Sequence, residues 1–152
     1  MMKIFRTFEE ILDFAIDRES AEVDFYMELS QQVKQKNVGE LFQNIALEKT
    51  AHMLKLEQMK DLGDSFPMDQ VPDLKIAGRL EEVDVNKKDL DYQDALIIAM
   101  KREKNNFKFY LQMAERAENE ECRITFLALA NEVARQKLRF EIEYDENILQ
   151  EN

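Results

Sequence analysis

Apolar residues recur at spacings of three and four along most of the chain, the period of a helix that buries one face. The first series is Ile11, Leu12, Ala15, Ile16, Val23, Tyr26 and Leu29, and it is interrupted by a carboxylate, because Glu19 falls where a hydrophobe is expected. The pattern predicts a helix over about residues 8–35, opened by Thr7 with Glu10 three positions on, which is a capping-box arrangement. Glu9, Asp13, Asp17 and Arg18 are expected on its outer face. A polar turn, Lys34 to Gly39, follows. A second helix is predicted over about 39–62, with Leu41, Phe42, Ile45, Met53, Leu56 and Met59 as its apolar line and His52 within it. Gly63 is a natural stop.

Residues 64–90 lose this regularity at Asp64, Ser65, Pro67 and Pro72, with a short helix over Leu74 to Val83 weakened by Gly78. A connection this long can travel the length of a bundle, so the flanking helices are not expected to form a tight hairpin. A third helix is predicted over about 92–118 behind Asp91, a good N-cap, with the core line Leu96, Ala99, Met100, Glu103, Phe107, Tyr110 and Met113. A fourth runs over about 121–149 with Phe126, Leu129, Val133, Gln136, Phe140 and Tyr144.

The second helical pair repeats the first at an offset of 84 residues, which pairs Ala15 with Ala99, Arg18 with Arg102, Glu19 with Glu103 and Phe25-Tyr26 with Phe109-Tyr110. The offset holds across the turn, pairing Phe42 with Phe126, Ala46 with Ala130 and Glu48 with Glu132. Neither pair can bury its apolar stripe alone, so the expected architecture is an all-α four-helix bundle made of two repeated hairpins and a long crossover.

Composition agrees with that reading and removes several functions. The 152 residues suit a single domain over 1–152, and 45% hydrophobic and 35% charged residues with only 3 Gly and 2 Pro suit helices. A formal net charge of -11 argues against nucleic acid and against an anionic membrane surface. Cys122 is the only cysteine, which excludes an intrachain disulfide and any Cys-x-x-Cys metal or redox motif. No apolar run is long enough to span a bilayer, and the start, MMKIFRTFEEILDF, has no signal-peptide core, so a cytoplasmic location is expected.

A carboxylate on a core line needs a donor, a cation or a metal. Glu19, Glu103 and His52 each fall mid-helix on core lines and are expected to reach one level of the bundle. Such a convergence suits iron, manganese or zinc.

AIDRESAEVDFYMEL and AMKREKNNFKFYLQMA, followed by FQNIALEKTAH and FLALANEVARQ, resemble rubrerythrin, within the ferritin-like superfamily, over nearly the whole chain apart from the crossover. In that family each half supplies a Glu from its first helix and a Glu-x-x-His from its second, and together these bind two irons that react with peroxide or oxygen. The resemblance makes Glu19, Glu103 and His52 candidate metal ligands. It also exposes three departures: Lys49 and Val133 stand at the glutamate positions and Gln136 at the second histidine position. Lysine cannot ligate while protonated, valine has no donor, and glutamine offers a neutral amide oxygen. Glu22, Glu48 and Glu132 lie close enough in sequence to be recruited by local twisting or a π-bulge. Tyr26 and Tyr110 are expected to pack and bond to nearby carboxylates, with Lys49 and Gln136 completing a surrounding network.

Two functions follow. The first is an iron-binding redox protein with a reduced or rearranged carboxylate/histidine site, an oxidoreductase toward peroxide or oxygen if metal is bound, served by an external electron donor. The second is a metal-free structural or binding module in which a buried Lys-Glu network replaces the metal. The family and the long helices suggest a homodimer, with Phe5, Phe8 and Phe66 to Val71 as candidate contacts.

Overall fold

The computed structural model describes residues 7–61, 91–117 and 119–151, with side chains as far as Asn147. It contains four helices, α1 (Phe8–Gln32), α2 (Lys36–Asp61), α3 (Tyr92–Arg116) and α4 (Glu120–Glu151). The expected Gly63 stop, the irregular connection, Phe5 and Phe66 to Val71 lie outside the described residues.

Capping sets the helix starts. Thr7 Oγ1 accepts from Glu10 N at 3.1 Å and Asp91 Oδ1 from Gln93 N at 3.0 Å, as the sequence suggests. Asn119, not singled out from sequence, caps α4 by accepting from Glu121 N at 2.8 Å and Cys122 N at 3.3 Å. The turn between α1 and α2 is shorter than expected. α1 ends at Gln32, where Val33 N bonds Leu29 O at 3.2 Å, and α2 already begins at Lys36. Gly39 is not part of the turn. Its N–H bonds Gln35 O at 3.0 Å within the first turn of α2, and a Cβ there would stand 3.1 Å from Ser30 O. Its lack of a side chain lets α1 and α2 approach closely.

α1 packs along α2, and α3 along α4. Side chains join the two hairpins. On one side Glu19 meets Tyr110, Glu22 meets Asn106 and Tyr26 meets Glu103, so α1 and α3 are antiparallel neighbours. On the other, Asn37 meets Glu143, Glu48 meets Gln136 and His52 faces Glu132, so α2 and α4 are antiparallel too. α2 therefore ends, and α3 begins, at opposite ends of the bundle, as the long connection implied.

Apolar side chains fill both ends of the bundle. Ile11, Leu12, Leu56, Met113, Phe126 and Leu129 belong to one cluster, and Leu29, Val38, Phe42, Ile45, Leu96 and Phe140 to the other. Phe8 is not an outward contact residue. It is buried in the first cluster, edge-on to Phe126 at 6.2 Å between ring centroids.

Candidate functional site: a buried ionic layer

Between the two apolar clusters lies a layer of polar side chains that α1 to α4 all contribute to: Arg18, Glu19, Glu22, Lys49, His52, Arg102, Glu103, Asn106 and Gln136 are buried. Helical spacing puts Glu19 and Glu22 on one face of α1, Lys49 and His52 on one face of α2, and Glu103 and Asn106 on one face of α3.

The repeat is visible in the bonding. Tyr26 OH donates to Glu103 Oε2, and Tyr110 OH donates to Glu19 Oε1, a reciprocal exchange between the two halves. The arginines also reciprocate. Arg18 lies over the Phe109 ring at 4.9 Å and donates from Nε to Asn106 Oδ1 at 2.8 Å. Arg102 lies over Phe25 at 3.9 Å and donates to Glu22 Oε2 from Nε at 2.9 Å and Nη2 at 2.8 Å. Arg18 was expected on the outer face; its guanidinium turns inward because an aromatic face and an amide oxygen receive it.

Lys49 breaks the symmetry. Its ammonium is fully buried and donates from Nζ to Glu103 Oε1 at 2.6 Å, while the equivalent Val133 is buried apolar filling. Asn106 Nδ2 ties Glu103 Oε1 at 3.2 Å to Glu22 Oε1 at 2.9 Å. Burial works against the Lys49 charge, but Glu103, Glu19 and Glu22 more than offset it and raise the ammonium above its ordinary value. Burial likewise opposes the Glu19 charge, yet Lys49, His52 and Tyr110 hold that carboxyl below the usual carboxylate value. For Glu22, burial and the neighbouring Glu103 raise it, against Arg102 and Lys49. Burial, followed by the facing glutamate, pushes both tyrosines well above their ordinary value, so they remain donors.

His52 occupies the expected level but makes no close bond. Its Nδ1 stands 3.7 Å from Glu19 Oε2, and its Nε2 stands 3.9 Å from Glu132 Oε2. Both nitrogens, Glu19 Oε2, Gln136 Oε1 and the terminal nitrogens of Arg18 have no hydrogen-bond partner. Glu48 and Glu132 remain at the rim, with side chains 36% and 38% exposed. Glu48 is held there by Gln136 Nε2 at 3.2 Å and Arg139 at 2.5 Å. Glu22 does turn inward, but Arg102 and Asn106 occupy both its oxygens. All four helices are α-helical across this layer, without a π-bulge.

These residues do not fit a two-metal centre. Lys49 and Val133, where the resemblance expects second-helix glutamates, offer an ammonium and a methyl-bearing side chain, Glu22 and Glu48 are engaged elsewhere, and Glu132 stays at the rim. Among the described residues, no three His, Cys, Asp or Glu side chains stand together as a metal-binding group. Charge balance says the same. Buried Glu19, Glu22 and Glu103 face buried Arg18, Lys49 and Arg102, three charges of each sign. Sequence reasoning singled out Lys49 and the two tyrosines but missed both arginines and Asn106 as partners. The signal available was the Arg-Glu pair repeated at 18–19 and 102–103.

Cys122 is buried, and burial pushes its thiol up to about 12, so it is not a reactive group. Among the described residues, no helix is long and apolar enough to cross a membrane.

Comparison with known proteins gives the fold a family. No curated protein matches the chain. The crystal structure of a ferritin-like diiron-carboxylate protein from Thermotoga maritima superposes with a TM-score of 0.81 at 19% identity, covering 95% of this chain and 99% of that one. A hypothetical protein from Pyrococcus furiosus superposes with a TM-score of 0.68 at 24% identity, covering 90% and 87%. At these identities the likeness is one of fold. The family model for rubrerythrin matches residues 10–141, most of the described chain and the whole of the ionic layer, and the chain belongs to the rubrerythrin family.

Proposed function

We propose that this chain is a metal-independent member of its family, a structural or binding module whose interior is held by a Lys-Glu-Arg network. The observation that carries this reading is the Lys49 ammonium, buried at a family glutamate position and 2.6 Å from Glu103. A divalent cation added beside three buried cations would leave the layer positively charged, a costly state at low dielectric. Tyr110 engages Glu19 Oε1, and Arg102, Asn106, Tyr26 and Lys49 engage both oxygens of Glu22 and Glu103, without a metal.

A one-metal redox site is the second reading. It draws on the unpartnered Glu19 Oε2 and His52 Nδ1, 3.7 Å apart in the interior. A small rotation of either side chain closes such a gap to a direct hydrogen bond and adds no charge, which favours the first reading.

A native-state metal site raises the melting temperature when its metal is supplied. The proposal expects the melting temperature in anaerobic Fe(II), Mn(II) or Zn(II) to equal that in chelator. A rise that disappears in both Glu19→Ala and His52→Ala would establish the one-metal reading instead.

A further inference from the structure

The internal repeat holds in the core and inverts on the surface. The outer stripe of α1 reads Glu10, Asp13, Asp17, Ser20, Asp24 and Met27, and the equivalent stripe of α3 reads Asp94, Ile97, Lys101, Lys104, Lys108 and Leu111. Lys101 and Lys108 thus stand where the first hairpin has Asp17 and Asp24, and all four are exposed. Helical spacing keeps the three lysines on one face of α3, spread over about 10 Å along its axis. Half-buried Ile97 and Leu111 flank them. Exposed Asp94 and Glu115 close the stripe, about two turns beyond Lys101 and Lys108.

Two features set this stripe apart from an ordinary solvated face. Its cations are not neutralised by the chain, although acidic residues outnumber Lys and Arg by 32 to 21. Lys36, Lys60 and Lys137 each pair with a carboxylate, whereas among the described residues Lys101, Lys104 and Lys108 have no ion pair. Carboxylates of the neighbouring helices are turned elsewhere: Asp13 pairs with Lys60, Glu28 accepts from Gln32, and Glu141 pairs with Lys137. The lysines also oppose one another, because like charges three and four residues apart disfavour a helix. A stripe that repels itself and lacks internal counter-charge gains from an anion brought by another molecule.

We propose that the α3 lysine stripe docks an acidic polypeptide segment of a different protein, one that presents a short cluster of carboxylates over about 10 Å, with Ile97 and Leu111 as the apolar margins of the contact. The net charge of -11 does not forbid this. Exposed charges are largely screened beyond about 8 Å at physiological ionic strength, so a segment laid on α3 responds to the three lysines more than to the molecule as a whole. The ends of the stripe select for a short cluster. A long polyanion such as nucleic acid would run onto Asp94 and Glu115, which a few clustered carboxylates avoid. Each exposed pair contributes little, so the contact is transient and salt-sensitive. The stripe lies outside the ionic layer, so this inference is independent of what that layer binds.

Fluorescence anisotropy of a dye-labelled Gly-Ser peptide with a central run of Asp and Glu tests it on the full chain. The expected result is binding at low salt that disappears at high salt, and that weakens by about tenfold or more in Lys101→Gln/Lys104→Gln/Lys108→Gln with helicity and melting temperature preserved. Lys36→Gln/Lys55→Gln/Lys137→Gln changes the net charge equally and should bind as the wild type does. No binding by the wild type, or an equal loss in both triple variants, would overturn the proposal. Tighter binding of a single-stranded oligonucleotide would overturn it in favour of a nucleic-acid surface. A melting temperature lowered by the α3 substitutions would overturn it as well, because the stripe would then be covered from within the same chain.

Discussion

Lys49 keeps its charge in a fully buried position because three carboxylates surround it, and each of those carboxylates depends in part on that charge. Removing one partner of such a pair leaves the other uncompensated. Lys49→Met should therefore lower unfolding free energy by about 3–5 kcal/mol in urea titrations. Lys49→Met/Glu103→Gln should lose less than the sum of its single changes, the signature of direct coupling. Tyr110→Phe takes the hydroxyl from Glu19, and about 1.5–3 kcal/mol should go with a bond to a charged group. The alkaline limit follows from the same residues. Lys49 is raised from 10.5, so its contribution is full below that pH and is lost as pH climbs through the raised value. Tyr26 and Tyr110, raised well above 10.0, act in the same direction, because the unfolded chain releases their protons first. The melting temperature should fall above about pH 10, and less steeply in Lys49→Met. An unchanged alkaline slope in that variant would mean that Lys49 is not the charge being lost.

At the scale of the helices, the sequence was most readable where one local rule decides the outcome. Thr7 and Asp91 cap α1 and α3 as expected, and the repeat of Glu19-Tyr26 in Glu103-Tyr110 anticipated two equivalent hairpins. Gly39 reads locally as a turn residue, but it lies in the first turn of α2, where the close approach of α1 leaves little room for a Cβ. Asn119 was overlooked because the polar run around it offers several candidate caps, and Asn119→Ala should cost about 0.5–2 kcal/mol by unsatisfying the first turn of α4. Arg18 and Arg102 were harder still. Their neighbours in sequence are charged, and nothing local distinguishes a guanidinium in solvent from one lying over a phenylalanine of the opposite hairpin. Glu22 was read as able to turn inward, and it does, but toward Arg102 and Asn106.

For the whole molecule, the bundle has the family's fold, and on the proposed reading Glu19 and Glu103 stand at the first-helix glutamate positions while Arg18, Lys49 and Arg102 supply the positive charge between them. The residues that matter most to this outcome, Lys49, Val133 and Gln136, all lie on α2 and α4, whereas the carboxylates they leave behind lie on α1 and α3. Restoring the missing groups in Lys49→Glu/Val133→Glu/Gln136→His should therefore produce a chain whose melting temperature rises with Fe(II). Failure of that rise would mean that the surrounding arginines, rather than these three positions, exclude metal. The most direct test of the account is the metal content of the wild-type chain, loaded anaerobically with Fe(II), freed of excess and measured by elemental analysis beside Glu19→Ala and His52→Ala. The account predicts no iron retained above the level of the two variants. One or two irons per chain, lost in both variants, would contradict it and show that this layer is a metal centre despite its lysine.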